Sequence, residues 1–104
     1  MREQAVKTIL ELVDLFGYNI ERIILFGSRA RGDAKPDSDW DFLVIVVEDL
    51  TFRQKQDLIV QIQRRLAVLK IPNDIILKSK REYDLSREQV GTISYYASLE
   101  GVEV

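Results

Sequence analysis

The chain has 104 residues, 46% of them hydrophobic and 31% charged, a balance typical of one folded domain spanning residues 1–104. It contains no cysteine and no histidine, which excludes disulfides, thiolate or imidazole metal sites and Ser-His or Cys-His catalysis, and favours a cytoplasmic location. The net charge of −2 argues against a nucleic acid as the main partner, and no apolar stretch reaches the ~20 residues that a membrane span needs.

The first half of the chain predicts a helix, a strand, a short helical turn and a second strand. Apolar residues at helical spacing predict a helix over 3–16, which ends at Gly17. The isoleucine-rich run over 20–26 predicts a strand, and 28–33 reads as a helical turn followed by a loop. The run over 40–47 has no polar alternation, which predicts a central strand covered on both faces.

The second half predicts two more helices around a third strand. Thr51 and Gln54 have the spacing of a capping box and predict a helix that runs to about residue 70. Its predicted core stripe is Leu58, Ile59, Ile62, Leu66 and Leu69. A strand is predicted over 74–78, and a second capping-box spacing at Ser86 predicts a last helix that ends near residue 99. This alternation indicates an α/β domain with a small sheet of three or more strands.

Two aspartates, Asp39 and Asp41, stand at the start of the most apolar strand. Residues i and i+2 of a strand point to the same face, so both carboxylates project together. At an effective dielectric near 20, such charges repel by roughly 2–4 kcal/mol at ~4–6 Å, and a bound cation removes that cost. Without histidine or cysteine, the best fit is an oxygen-preferring ion such as Mg²⁺. The alternative is that both aspartates are solvated where a loop ends and a strand begins.

The dipeptide Gly27-Ser28 ends the first strand and opens the helical turn. Backbone N–H groups at such a turn, together with the serine hydroxyl, can bind phosphate oxygens, and glycine allows their close approach. Gly-Ser is also an ordinary turn dipeptide, so the pair alone indicates little. Beside a carboxylate metal site, however, it predicts a site for a Mg²⁺-bound nucleoside triphosphate.

The spacing of these motifs resembles the G-S-x10-D-x-D signature of nucleotidyltransferases of the DNA polymerase β superfamily, since ten residues separate Gly27-Ser28 from Asp39-Trp40-Asp41. The longer stretch GSRARGDAKPDSDWDFLVIV is similar to the minimal nucleotidyltransferases, small prokaryotic proteins often encoded beside a HEPN-domain partner. The resemblance implies the polymerase β-like nucleotidyltransferase fold, an α/β fold with a small mixed sheet and flanking helices.

The resemblance also implies a third carboxylate on a neighbouring strand, and the matching residue is Asp74 in IPNDIILKS. Asn73 departs from the family pattern, which has an apolar residue there, so an aspartate in a turn after Pro72 is the alternative. By the resemblance, Asp39 and Asp41 hold two Mg²⁺ ions. Asp74 would ligate the catalytic ion and help to deprotonate the attacking hydroxyl.

Two arginines, Arg29 and Arg31, follow the Gly-Ser turn. Either could neutralise the charge of a bound triphosphate, and the alternative is a solvated charge run. Trp40 points away from the aspartates by strand alternation, so we expect it in the core beneath the site rather than as a platform for a base.

The resemblance implies an enzyme that transfers AMP from ATP to a tyrosine hydroxyl of a HEPN-domain toxin, and so acts as an antitoxin. One alternative is a non-catalytic antitoxin that neutralises the toxin by binding, and another is nucleotidylation of a small molecule. Small-molecule enzymes of this kind generally carry an extra helical domain for the acceptor. We therefore expect a partner protein or a second copy to complete the acceptor surface, in a hetero-complex or homo-oligomer.

Overall fold

A four-stranded mixed sheet lies at the centre of the computed structural model, which describes all 104 residues, Met1–Val104. Its strands are β1 (Ile20–Phe26), β2 (Trp40–Val46), β3 (Asn73–Ser79) and β4 (Val102–Glu103). The spatial order is β3-β2-β1-β4, with β1 antiparallel to both β2 and β4, and β2 parallel to β3. The predicted α/β class with a small mixed sheet is confirmed.

Five helices flank the sheet. They are α1 (Arg2–Leu15), α2 (Ser28–Arg31), α3 (Phe52–Val68), α4 (Lys80–Ser86) and α5 (Ile93–Glu100). None of the five combines the length and the apolar character that a helix needs to cross a bilayer.

The main core lies between the sheet and helices α1 and α3. The side chains that these two helices bury there are Ala5, Ile9, Leu12, Val13, Leu58, Ile62 and Leu66. Phe42, Val44 and Val46 of β2 meet them, as strand alternation requires. Leu69, which we predicted on the buried stripe of α3, is instead 40% exposed, because the helix ends at Val68 and Leu69 is its C-cap.

The opposite face of the sheet is covered only in part. Leu43 and Ile45 of β2 pack there against Tyr83 of α4 and Ala97 of α5. The central strand is therefore covered on both faces, as predicted. Asp41, on this same face, is only half-buried, so the beginning of β2 lies at the open end of the layer.

The prediction of one last helix beginning at Ser86 is wrong, because the chain forms two short helices there. The capping box that forms is Ser79 with Glu82: the Glu82 N–H donates to Ser79 Oγ at 3.0 Å, and the Ser79 N–H donates to Glu82 Oε1 at 2.9 Å. Ser86 instead ends α4, where its hydroxyl donates to the Glu82 carbonyl at 2.8 Å. A turn with Gly91 at φ 94° follows, and Thr92 caps α5.

Candidate active site

The three predicted acidic residues lie at one end of two paired strands. Asp41 of β2 stands opposite Asp74 of β3 in the parallel register, so their side chains emerge on the same face. Asp39 immediately precedes β2, two residues before Asp41. Asp74 is therefore a strand residue and not part of a turn, and the fold brings all three to the open end of the sheet.

The electrostatics of Asp41 show that the other two carboxylates act on it. The pKa of Asp41 lies above its ordinary value because burial disfavours the charged form, and because Asp74 and then Asp39 repel its negative charge. Arg31 acts in the opposite direction and lowers this pKa. A cation at this end of the sheet would relieve the repulsion.

The donor set fits a hard divalent cation, since it consists of carboxylate oxygens alone. As the side chains stand, no group of three acidic residues is close enough to hold a metal ion. Asp39 and Asp74 are exposed, so both carboxylates can change rotamer without disturbing the core. The arrangement of two ions around the three residues stays a prediction.

Gly27 joins the Gly-Ser turn to the carboxylates. It follows β1 directly, and the last residue of β1, Phe26, pairs with Asp41 in the antiparallel register. Gly27 adopts φ 72° and ψ −158°, and a Cβ built on it would overlap the Asp41 carboxylate. Only glycine accepts that backbone and leaves room for Asp41. Ser28 comes next, as the first residue of α2, so the turn begins directly beside this contact.

Arg29 is a half-buried residue with contacts inside the chain. Its Nη2 donates to the carbonyl of Pro36 at 3.1 Å and to the carbonyl of Ser38 at 2.9 Å. Its guanidinium carbon lies 4.7 Å from the centroid of the Trp40 ring. The sequence gives no local signal for these contacts, since the partners follow seven to eleven residues later in a loop and a strand.

Arg31 is exposed and pairs with acidic side chains. Its Nε lies 3.4 Å from Asp33 and its Nη1 lies 3.6 Å from Glu100 at the end of α5. Because Arg31 also lowers the pKa of Asp41, it is the arginine whose charge acts on the carboxylates. Glu100 was missed from sequence, since it is remote along the chain.

Trp40 lies on the face opposite Asp41, as predicted. It is partly buried against the main core, and its ring stacks on Phe42 with the centroids 6.4 Å apart. It therefore supports the site from beneath.

Residues 6–95 match the model of the family described as Nucleotidyltransferase domain. This match covers most of the chain, and the chain belongs to that family. The resemblance seen in the sequence is confirmed.

Known proteins similar to this chain carry related descriptions. A Methanocaldococcus jannaschii protein named "Putative protein adenylyltransferase MJ0141" is 50% identical over 40 residues, which cover 38% of this chain and 40% of the relative. The match therefore spans less than half of that relative's length.

Two solved structures share the fold. One, a toxin–antitoxin with AMP-PNP, has a TM-score of 0.60 at 20% identity, covering 93% of this chain and 69% of its own. The other, the tri-AMPylated Shewanella oneidensis HEPN toxin in complex with MNT antitoxin, has a TM-score of 0.58 at 17% identity, covering 99% and 71%. At these identities the likeness is one of fold.

Proposed function

We propose that this chain is a Mg²⁺-dependent nucleotidyltransferase that transfers AMP from ATP to a tyrosine hydroxyl of a HEPN-domain toxin, and so acts as its antitoxin. The observation that carries the proposal is the contact between the Asp41 carboxylate and Gly27, which unites the acidic residues and the Gly-Ser turn in one site. The AMP-PNP bound in one structure of the same fold supports ATP as the nucleotide. The tri-AMPylated HEPN toxin in the other supports AMP as the transferred group.

Each residue of the site has a role in this reaction. Asp39, Asp41 and Asp74 would hold the Mg²⁺ ions, which when bound supply the charge that aligns the hydroxyl with the α-phosphorus and stabilises the departing pyrophosphate. Asp74 takes the proton of the acceptor hydroxyl. The oxygen of that hydroxyl then bonds to the α-phosphorus as the bond from the α-phosphorus to pyrophosphate breaks. The Ser28 hydroxyl and the N–H groups of its turn donate to phosphate oxygens, and Arg31 balances their charge.

The shape of the site favours a protein acceptor over a small molecule. None of the concave surfaces of the structure is lined by Asp39, Asp41 or Asp74. The charged nucleotide would be held on this open surface by the metal ions and the Gly-Ser turn, but a small acceptor molecule would need a pocket beside it, whereas a protein brings a complementary surface of its own. We therefore propose a complex with the toxin, with a homo-oligomer as the second arrangement that could complete the site.

The test is transfer of label from α-labelled ATP, in the presence of Mg²⁺, to a purified HEPN-domain toxin. We expect label on the toxin with the wild type and a loss of at least about 100-fold with Asp41→Asn, since a metal ligand is removed. Asp57→Asn is the matched control, because Asp57 is an exposed aspartate on α3. This control should label the toxin at the wild-type rate.

The other outcomes separate the alternatives. Toxin that is silenced by Asp41→Asn without any label would show that the chain acts by docking. Label that persists in Asp41→Asn would contradict the assignment of Asp41 to the active site. Label on a small-molecule hydroxyl, with none on the toxin, would contradict the proposal that the acceptor is a protein.

A further inference from the structure

The loop that carries Asp39, residues 32–39, has no regular structure of its own. Its internal bonds close a small turn, in which the Lys35 N–H donates to Ser38 Oγ at 2.9 Å and the Ser38 N–H donates to the Lys35 carbonyl at 3.0 Å. These bonds hold the turn together but do not attach it to the sheet or to α2. The start of the loop is attached to α2, because the N–H groups of Gly32 and Asp33 donate to the Ser28 carbonyl, but the segment just before Asp39 needs a further attachment.

Arg29 provides that attachment. From α2 its Nη2 reaches the carbonyls of Pro36 and Ser38, two charge-assisted bonds from one guanidinium. The same guanidinium lies over the Trp40 ring at 4.7 Å. Its Nε is buried and has no hydrogen-bond partner, so the group is desolvated where it stands. Lysine cannot reproduce a planar group that donates these hydrogen bonds and also stacks on an aromatic ring.

The contacts of Arg29 fall on both sides of Asp39. The Ser38 carbonyl belongs to the same rigid peptide unit as the Asp39 nitrogen, so holding that oxygen fixes the peptide plane from which Asp39 projects. The ring of Trp40, the residue after Asp39, lies under the guanidinium. The backbone N–H of Trp40 donates to the Pro72 carbonyl at 2.9 Å. Asp39 itself is exposed and makes no contact with Arg29, so the effect passes through its two neighbours.

We infer that Arg29 is a positioning residue that sets the place of the Asp39 carboxylate by bracing Ser38 and Trp40, and that of the two arginines only Arg31 contacts phosphate. The role in metal binding rests on the proposed function, whereas the bracing of the loop does not. A phosphate contact through Nη2 would require that atom to leave both carbonyls, and Nε is buried. The two arginines, two residues apart on one helical turn, therefore have different tasks.

The bracing is tested without nucleotide or metal. In Arg29→Met, exchange of the Lys35, Ser38 and Trp40 amide protons should be faster by about tenfold or more, because loss of the brace lets the loop open. Trp40 is the single tryptophan, so its emission reports on the same contact. The matched control is Arg64→Met, an exposed arginine of α3, which should change neither readout.

Arg29→Lys keeps the charge that Arg29→Met loses, and it should still speed exchange at these three amides, because lysine does not reproduce the guanidinium contacts. If Arg29→Met does not fold, Arg29→Lys decides the result. Exchange at wild-type rates in a folded Arg29→Lys or Arg29→Met variant would overturn the brace.

The consequence for the site is tested with Mn²⁺, followed by its electron paramagnetic resonance, and with AMP-PNP. Arg29→Met should weaken Mn²⁺ binding about 10–100-fold, the usual cost of losing a group that orients a metal ligand, and Arg29→Lys should recover part of it. Arg31→Met should weaken AMP-PNP binding without weakening Mn²⁺ binding, because Arg31 is itself a positive charge near Asp41.

The opposite pattern, with Arg29→Met weakening AMP-PNP while Mn²⁺ affinity and amide exchange stay as in the wild type, would show that Arg29 is a phosphate ligand and overturn the inference. A wild type that binds neither Mn²⁺ nor AMP-PNP would overturn the proposed function and the role in metal binding, and the amide-exchange result would still decide whether Arg29 braces the loop.

Discussion

Gly27→Ala tests the contact on which the site depends. Gly27 occupies φ 72° and ψ −158°, a region open almost only to glycine, and forcing alanine into it costs about 1–3 kcal/mol. The added Cβ also overlaps the Asp41 carboxylate, which must turn away to an unfavourable rotamer at about 0.5–1.5 kcal/mol. The sum, about 1.5–4.5 kcal/mol, should lower the melting temperature by about 4–8 °C for each kcal/mol in a domain of this size.

Gly17→Ala is the matched control, because Gly17 has φ 83° and nothing within 4 Å of its added Cβ. It should cost only about 1–2 kcal/mol, the strain of a left-handed alanine. The free energy of unfolding is measured by urea titration for both variants.

A double-mutant cycle then isolates the overlap. In an Asp41→Ala background, Gly27→Ala should cost only its backbone strain, so the cycle should give a coupling of about 0.5–1.5 kcal/mol. Zero coupling, or a Gly27→Ala variant as stable as Gly17→Ala, would refute the argument that Gly27 is kept for the sake of Asp41.

Three further predictions concern charge and capping. Asp41→Asn should be more stable than the wild type at neutral pH, and the difference should vanish as the pH falls through the raised pKa of Asp41, since only the charged form is disfavoured by folding. Saturating Mg²⁺ should reverse that order by stabilising the wild type alone, by about 2.7 kcal/mol at a hundred times Kd, measured as thermal unfolding. Burial raises the pKa of Glu82, but hydrogen bonds from Lys55, at 2.6 Å, and from Ser79 outweigh it, so this pKa lies below its ordinary value. Glu82→Gln should therefore cost about 1 kcal/mol at neutral pH, and the gap from the wild type should close as the pH falls through that lowered pKa. Finally, Ser79→Ala should cost about 1 kcal/mol in urea titrations and Ser86→Ala less than half of that, since only Ser79 caps a helix; equal losses would contradict the assignment.

Local sequence patterns correctly predicted those helices and strands for which a segment contains only one candidate pattern. The apolar run of β2 could form only a buried strand, and the Thr51–Gln54 capping box forms as read, with the Thr51 N–H donating to Gln54 Oε1 at 2.8 Å and the Gln54 N–H donating to Thr51 Oγ1 at 3.2 Å. In both cases the energy that selects the structure is local or depends only on burial.

Prediction failed where the same local pattern occurs twice. Ser79 with Glu82 and Ser86 with Gln89 have equal capping-box spacing, and propensity does not choose between them. The choice is made by Lys55 of α3, which reaches Glu82 across 27 residues and fixes the start of α4 at Ser79. The two-residue strand β4 had no local pattern at all, since it exists only through its pairing with β1.

The site shows the same division between local and distant causes. The ten-residue spacing between Gly27-Ser28 and Asp39 is readable because antiparallel pairing of β1 with β2 places Phe26 opposite Asp41, and so sets Gly27 against that carboxylate. The spacing does not show how the chain between Ser28 and Asp39 is held in place. Its ten residues are the rest of α2 after Ser28 and a loop that is held by a side chain from α2, Arg29. The site of this chain therefore has two physical requirements: a glycine where the strand meets the Asp41 carboxylate, which the signature contains, and a brace for the loop, which it does not.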